Sequence, residues 1–274
     1  MAQRVLSEAR IPRRELDFLT VAGRFPWLYS LSALTLLFLY VPIAMVVLFS
    51  FSVDVTTGFP IRGPTLSWYL KVLNTPALLS GARNSMYVAV GTAWLAALVA
   101  TPAALALTRY RFRWRGALSA AFAVPLALPT LILGVSLLLL FSLMRVRLSL
   151  LTVIDGHTLY LTPLMFLVVR ARLMDMDRFI EEAARHLGAS GWRTFWEVTF
   201  PLIRSSIVGW MFLIFAQSFD LFVITFLTIG AQSTLPLVVW SMLRTGVNIS
   251  TLLFGTSAMM LIIASRFAEI TVEV

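Results

Sequence analysis

Two carboxylates stand where they would be costly. Asp155 and Asp220 each interrupt a long apolar run. A charged side chain placed deep in a bilayer is a functional candidate by default. Phe219, Phe222 and Tyr160 lie close to them in sequence. Two acids and three rings around one cavity would suit a cationic amine, through charge pairing and cation–π contact. Other uses of the acids are open at this point. Each could pair internally with Arg145, Arg147 or Arg244, or cap a broken helix, or couple protons or cations to transport. His157, two residues after Asp155, reads as a hydrogen-bonded structural residue rather than a proton relay.

The second constellation is a charged, Gly-punctuated segment, residues 181–201, EEAARHLGASGWRTFWEVTFP. Its residues suit a helix–turn–helix that docks on another protein. Asp175 and Asp177 supply negative charge near a helix start, where it is favoured. Ala183, Ala184 and Leu187 form a small apolar face. Gly188 can take the left-handed conformation that ends a helix, and Ser190 can cap the next one, which runs to about Thr199. Pro201 is expected to break the chain direction at a membrane surface. Glu181, Glu182, Arg185 and Arg193 are candidates for polar contacts to a partner. The competing reading is a solvated, salt-bridged loop with no partner.

The elements that must position these groups are membrane helices. The chain has 274 residues, of which 59% are hydrophobic and only 13% charged, and its mean hydropathy is +0.88. A soluble domain carries nearer a quarter charged residues. Six runs reach the length of about 20 residues needed to cross a bilayer: 27–51, 84–108, 117–144, 148–169, 205–229 and 247–265. Prolines 42, 102, 125, 129 and 163 fall within them and can kink their helices. Residues 52–83 suit an ordered excursion with a short helix near 66–73. Residues 230–246 suit a short apolar helix opened by Pro236, too short to span. The domain expectation is a cytoplasmic arm over 1–26 and one permease domain over 27–274.

The net charge is +9. Nucleic-acid binding is disfavoured, because the basic residues sit in short clusters between apolar runs. Placing the N-terminus inside leaves sixteen Lys and Arg on the inner side and six on the outer. The positive-inside rule then puts both termini and the loop 170–204 in the cytoplasm. Asp155 would lie 7 residues from the outer end of its span and Asp220 9 residues from the outer end of its own, about 10 and 14 Å deep at ~1.5 Å per residue. Both could face one outward cavity. With no cysteine, disulfide and thiolate chemistry are excluded.

The loop carries a family resemblance. Glu182-Ala183-Ala184, three residues, Gly188, nine residues, then Val198-x-Phe200-Pro201 resembles the EAA motif of bacterial ABC-importer permeases, with Val198 and Phe200 in place of the motif's Ile and Leu. Residues 218–248 resemble the spermidine/putrescine branch. The matching positions are Ser218, Phe219, Asp220, Phe222, Thr234, Leu235, Pro236, Trp240, Ser241, Arg244 and Gly246. The segment GHTLYLTP at 156–163 is also similar to that branch.

The resemblance implies an all-α membrane protein with six transmembrane helices, the type I ABC-importer permease fold, and cytoplasmic N- and C-termini, set in a bacterial inner membrane. It implies ATPase coupling through Glu181, Glu182, Ala183, Ala184, Leu187, Gly188 and Pro201. The partners it implies are a second permease, two cytoplasmic ATPase subunits and an extracytoplasmic solute-binding protein, besides membrane lipid. The solute would be a polyamine, with a sugar, ferric ion or opine as alternatives, and a secondary transporter or channel using Asp155 and Asp220 as the competing class. A Walker A motif needs GxxxxGK[ST], yet the one lysine, Lys71, is followed by Val72. No catalysis, resident metal or bound cofactor is therefore expected here, and ATP with magnesium would sit on the partner ATPase.

Overall fold

The computed structural model describes residues 26–53 and 63–244. The N-terminal arm and the run 247–265 expected as a sixth span lie outside the described residues. Among those described, every regular element is helical. In chain order they are α1 (Pro26–Ser50), α2 (Ser67–Leu73), α3 (Pro76–Arg109), α4 (Arg115–Ala127), α5 (Thr130–Leu143), α6 (Leu150–Asp175), α7 (Arg178–His186), α8 (Gly191–Asp220), α9 (Phe222–Thr228) and α10 (Leu235–Arg244). Among the described residues, four helices are long and apolar enough to cross a membrane: α1, α3, α6 and α8. A fifth span results if α4 and α5 are counted as one crossing.

α3 and α6 form the centre of the bundle. α3 presents a stripe of small residues, Ala89, Ala93, Ala96, Ala100 and Ala104, all buried. Small side chains let helix backbones approach closely. Phe166, Met165, Val169 and Leu173 of α6 fill the space above the stripe, and Ile203, Ile207 and Ile214 of α8 complete the cluster. The second span starts earlier than its hydropathy suggests. Pro76 opens α3, since the missing proline N–H costs nothing in a first turn, and Arg83 therefore sits on the helix rather than in a loop.

The expected span 117–144 is two helices that meet at 107°. Pro129 forces its predecessor out of the helical region, and Leu128 is extended at ψ 132. Span five is also interrupted: α8 stops at Asp220, Leu221 adopts φ −73 and ψ 63, and α9 follows. α9 fits closely against two glycines. A Cβ on Gly134 would lie 2.7 Å from Leu227 Cδ1, and one on Gly156 would lie 2.8 Å from Ile224 Cγ2. Two real side chains there would push α9 away.

The connections are pinned by specific bonds. Trp68 Nε1 donates to the Ser52 carbonyl at 2.8 Å, tying α2 to the end of α1. A capping box at Ser149 and Thr152 opens α6, and Thr152 Oγ1 also reaches the Thr228 carbonyl at 2.7 Å. Gly230 has φ +72, and a Cβ there would meet the Leu148 carbonyl oxygen at 2.6 Å. α10 is the short apolar helix expected within 230–246. It lies against the start of α3, where Ser85 Oγ accepts from Leu235 N at 2.9 Å.

Candidate functional site

The loop after α6 is built by local signals. Asp175 is the last residue of α6 rather than the start of a new helix. Met176 is extended, and Asp177 caps α7 by accepting from Phe179 N at 3.0 Å. At the other end, Gly188 has φ +89. Its N–H donates to Arg185 O at 2.9 Å, and Ala189 N donates to Ala184 O at 3.1 Å. These two bonds make a Schellman motif, which satisfies carbonyls that a helix end otherwise strands. Ser190 then caps α8, accepting from Arg193 N at 3.3 Å.

Pro201 does not break the chain direction. α8 passes through it, with a widened π-type turn at Phe195–Thr199 immediately before. A proline cannot donate to the residue four before it, and the widened turn absorbs that gap.

α7 has an inner and an outer side. Phe179 is 74% exposed and Leu187 89%, and Trp192 at the start of α8 is 73% exposed. Glu182, Ala183, Arg185 and His186 are exposed as well, while Ala184 is half-buried. Three large apolar side chains held in solvent around a capped turn form a surface of the kind that marks interaction sites. Arg193 is spent on Glu197 at 2.9 Å, an exposed pair of little energetic weight.

Glu181 departs from the expectation. It is buried, with Oε2 2.7 Å from Arg109 Nε and Oε1 accepting from Thr199 Oγ1 at 2.8 Å. Its carboxylate joins α7 to the end of α3 and to the π-turn of α8 and is not presented to a partner. Arg178 adds a second tie, donating to the Thr108 carbonyl at 3.0 Å.

The acids expected to line a solute path occupy different settings. Asp155 projects from α6 into two grooves. One, of about 380 Å³, lies between α3, α4 and α6 and is bounded by Val99, Phe122, Pro125, Thr158 and Pro163. The other, of about 820 Å³, lies between α3 and α6 and includes Arg83, Tyr87 and Leu151. Asp220 ends α8 at the break, exposed. No ion pair joins either acid to a described residue.

The three rings are placed elsewhere. Phe219 stacks edge-on to Phe215 at 5.2 Å. Phe222 belongs to a cluster with Phe226 at 5.9 Å and Trp240 at 5.7 Å. Arg244 lies 4.9 Å over Trp240. Tyr160 packs against the cluster of Leu133, Leu137, Phe141 and Ile224. None of Asp220, Phe219, Phe222 and Tyr160 lines either groove of Asp155.

His157 is the polar centre of the bundle. Nδ1 is 2.8 Å from Ser218 Oγ and Nε2 is 2.8 Å from Thr225 Oγ1. It bridges α6 to both sides of the Leu221 break, a link invisible in sequence because its partners lie 61 and 68 residues away. Among the described residues no group of His, Cys, Asp and Glu could hold a metal ion.

Comparisons place this architecture. Two proteins of Escherichia coli K12 are similar over most of their length. The putrescine transport system permease protein PotI is 34% identical over 249 residues, covering 85% of this chain and 87% of PotI. The spermidine/putrescine transport system permease protein PotC is 31% identical over 238 residues, covering 85% and 90%. A crystal structure of a bacterial ABC transporter that imports the acidic polysaccharide alginate has a chain that superposes with TM-score 0.71 at 17% identity, over 95% of this chain and 99% of that one. The inward-facing MetNI methionine ABC transporter matches at TM-score 0.57 and 15% identity, over 72% of this chain and 94% of that one. These two likenesses are of fold. Residues 95–269 match the model of binding-protein-dependent transport system inner membrane components, and the chain belongs to that family, as a multi-pass permease subunit of an ABC importer.

Proposed function

We propose that this permease carries a polyamine, putrescine or spermidine, along a path that includes Asp155, with ATP hydrolysed on separate subunits. The observation that carries the substrate is the 34% identity to a putrescine permease across 87% of that protein's length. The acid between two grooves supports it. A primary ammonium needs a carboxylate partner once it leaves water, and no cation among the described residues is paired with Asp155.

In this reading α7 and the turn at Gly188 dock on a cytoplasmic ATPase. Leu187, Phe179 and Trp192 supply apolar anchors, with Glu182, Ala183, Ala184 and Arg185 around them. Closure of the ATPases moves α7. The Arg109–Glu181–Thr199 connection carries that movement to α3 and α8, and the path opens outward. A second permease completes the path, and an extracytoplasmic binding protein delivers the solute.

The test is uptake of labelled putrescine by proteoliposomes holding this chain with a partner permease, an ATPase and a solute-binding protein. ATP-dependent uptake that excess spermidine abolishes and maltose leaves untouched is the expected result. Uptake competed only by a sugar or by ferric ion would overturn the substrate. Uptake driven by an ion gradient without ATP would overturn the class.

A further inference from the structure

The segment joining α3 to α4 reads Arg109-Tyr110-Arg111-Phe112-Arg113-Trp114-Arg115, a strict alternation of arginine and aromatic side chains. Arg109 is accounted for by Glu181. The rest of the run is not. Tyr110 is 57% exposed, Phe112 40% and Trp114 66%. Arg111 and Arg113 are exposed and Arg115 is half-buried. No ion pair joins any of these three arginines to a described residue. Among the described residues, the guanidinium of Arg113 has only the Trp114 ring, at 5.8 Å. Neutralisation from nearby in the chain is impossible, because no Asp or Glu occurs between Asp54 and Asp155.

The position of the run matters as much as its composition. It follows the last turn of α3, a helix of 34 residues, about 51 Å long at 1.5 Å per residue. That exceeds the roughly 30 Å of bilayer hydrocarbon, so the end of α3 reaches the headgroup layer. Tyr110 is extended, with φ −105 and ψ 147. Successive side chains on extended backbone point to opposite sides, so the run begins by separating a ring from its neighbouring guanidinium. Tyrosine and tryptophan are at home at the headgroup level. Guanidinium groups meet phosphate through two parallel hydrogen bonds. A soluble partner would match the cations but leave three rings, continuous with an apolar span, without an apolar medium.

We propose that residues 110–115 form a binding surface for acidic phospholipid headgroups. Arg111, Arg113 and Arg115 take the phosphates, and Tyr110, Phe112 and Trp114 sit at the boundary with the acyl chains. The surface adjoins α7 through Arg109, so the lipid would brace the anchor point of the docking helix. Each exposed arginine near an anionic surface is worth roughly fivefold in affinity.

The experiment uses the full chain in bilayer discs of equal phosphatidylglycerol and phosphatidylcholine, stripped with detergent, with the retained lipid quantified by mass spectrometry. The wild type should retain phosphatidylglycerol over phosphatidylcholine by at least about tenfold. R111Q/R113Q/R115Q should lose that preference, and the matching lysine triple should keep most of it. Y110A/F112A/W114A should lower retention of both lipids while the preference persists. The single variants R111Q and R113Q, at exposed sites, should each lower the preference severalfold and serve if the triple does not fold. Equal preference in wild type and glutamine variants, or none in the wild type, would overturn the proposal. So would glutamine variants that keep the lipid preference but no longer hold the ATPase, since the surface would then belong to that subunit.

Discussion

Arg109 Nε lies 2.7 Å from Glu181 Oε2, with the two side chains only 7% and 6% exposed. The contact is ionic rather than an aligned hydrogen bond, because Nε and Nη2 of Arg109 make no hydrogen bond of acceptable geometry. Removing one member of a buried pair leaves the other charge stranded, at a cost of about 3–5 kcal/mol. Replacing both with apolar side chains of similar volume is often close to neutral. Glu181→Leu alone should therefore lower the thermal midpoint of the detergent-solubilised protein sharply. Arg109→Met with Glu181→Leu should recover most of the loss. A double variant no better than the single one would mean that the pair's energetic role is misassigned. The recovered variant then separates stability from coupling. If the ion pair also transmits force, its ATP-driven uptake stays low while its midpoint is normal.

The turn at Gly188 allows a sharper comparison. Gly188 and Gly191 both have open space where a Cβ would go, so neither substitution meets a clash. They differ in backbone. Gly188 has φ +89, whereas Gly191 lies in the first turn of α8. Gly188→Ala should destabilise the α7 cap by about 1–2 kcal/mol. Gly191→Ala should be neutral or slightly stabilising, since alanine favours helix. Hydrogen exchange at Gly188 and Ala189, the two donors of the Schellman motif, reads the difference locally. Equal protection in the two variants would contradict it. Arg145 is the reverse case. It holds φ +54 at the end of α5, where Val146 N bonds Phe141 O at 2.8 Å. Arg145→Gly should relieve strain of about 1 kcal/mol and raise the midpoint.

Much of this arrangement could be read from the residues, and what could not has a physical pattern. The long apolar runs located α1, α3, α6 and α8, because length and hydropathy are properties of one segment. Asp177, Gly188 and Ser190 announced both ends of α7 and the start of α8, because caps are local chemistry, but not that α8 runs on past Thr199 and Pro201. Glu181 was misread for the opposite reason. It is adjacent to Glu182 on a helix, and which of two neighbours turns inward depends on where Arg109, far away in the chain, meets α7. The 107° bend at Leu128–Pro129 was hidden similarly: prolines at 125 and 129 mark a weak point, but the direction of the bend follows from tertiary packing. The acids were legible as unusual residues, while their separation into a groove and a helix break was not.

The hydrogen bonds around His157 fix a tautomer. Thr225 Oγ1 donates to the Leu221 carbonyl at 2.7 Å, which uses its only proton. Thr225 must then accept from the imidazole, so Nε2 carries the hydrogen and Nδ1 accepts from Ser218. The result is a directed chain from Ser218 through His157 and Thr225 to Leu221, spanning the break between α8 and α9. Nitrogen NMR of labelled His157 should report the Nε2–H form. The Nδ1–H form would require Thr225 to release Leu221. His157→Phe leaves the buried Ser218 hydroxyl without a partner, while Thr225 keeps its bond to Leu221, and should cost about 1–3 kcal/mol.

Asp155 and Asp220 make unequal claims on the solute, and transport can rank them. Asp155 faces two grooves and makes no ion pair with a described residue. Asp220 sits at a helix end, where losing its charge breaks no ion pair with a described residue. Asp155→Asn removes the carboxylate and keeps its shape. If an ammonium group of the solute pairs with that carboxylate, apparent KM for putrescine should rise about tenfold or more, the loss of roughly one charge-assisted hydrogen bond. Maximal ATP hydrolysis should stay near the wild-type rate, because the docking surface on α7 is untouched. Asp220→Asn should change KM much less. The two grooves also differ in net charge, since Arg83 shares the larger one with Asp155 and the smaller one has no cation among its lining residues. Arg83→Gln should therefore lower KM if the amine approaches through the larger groove. Unchanged KM in both Asp155→Asn and Arg83→Gln would remove Asp155 from the path, and a stronger effect at Asp220 would move the site to the break between α8 and α9.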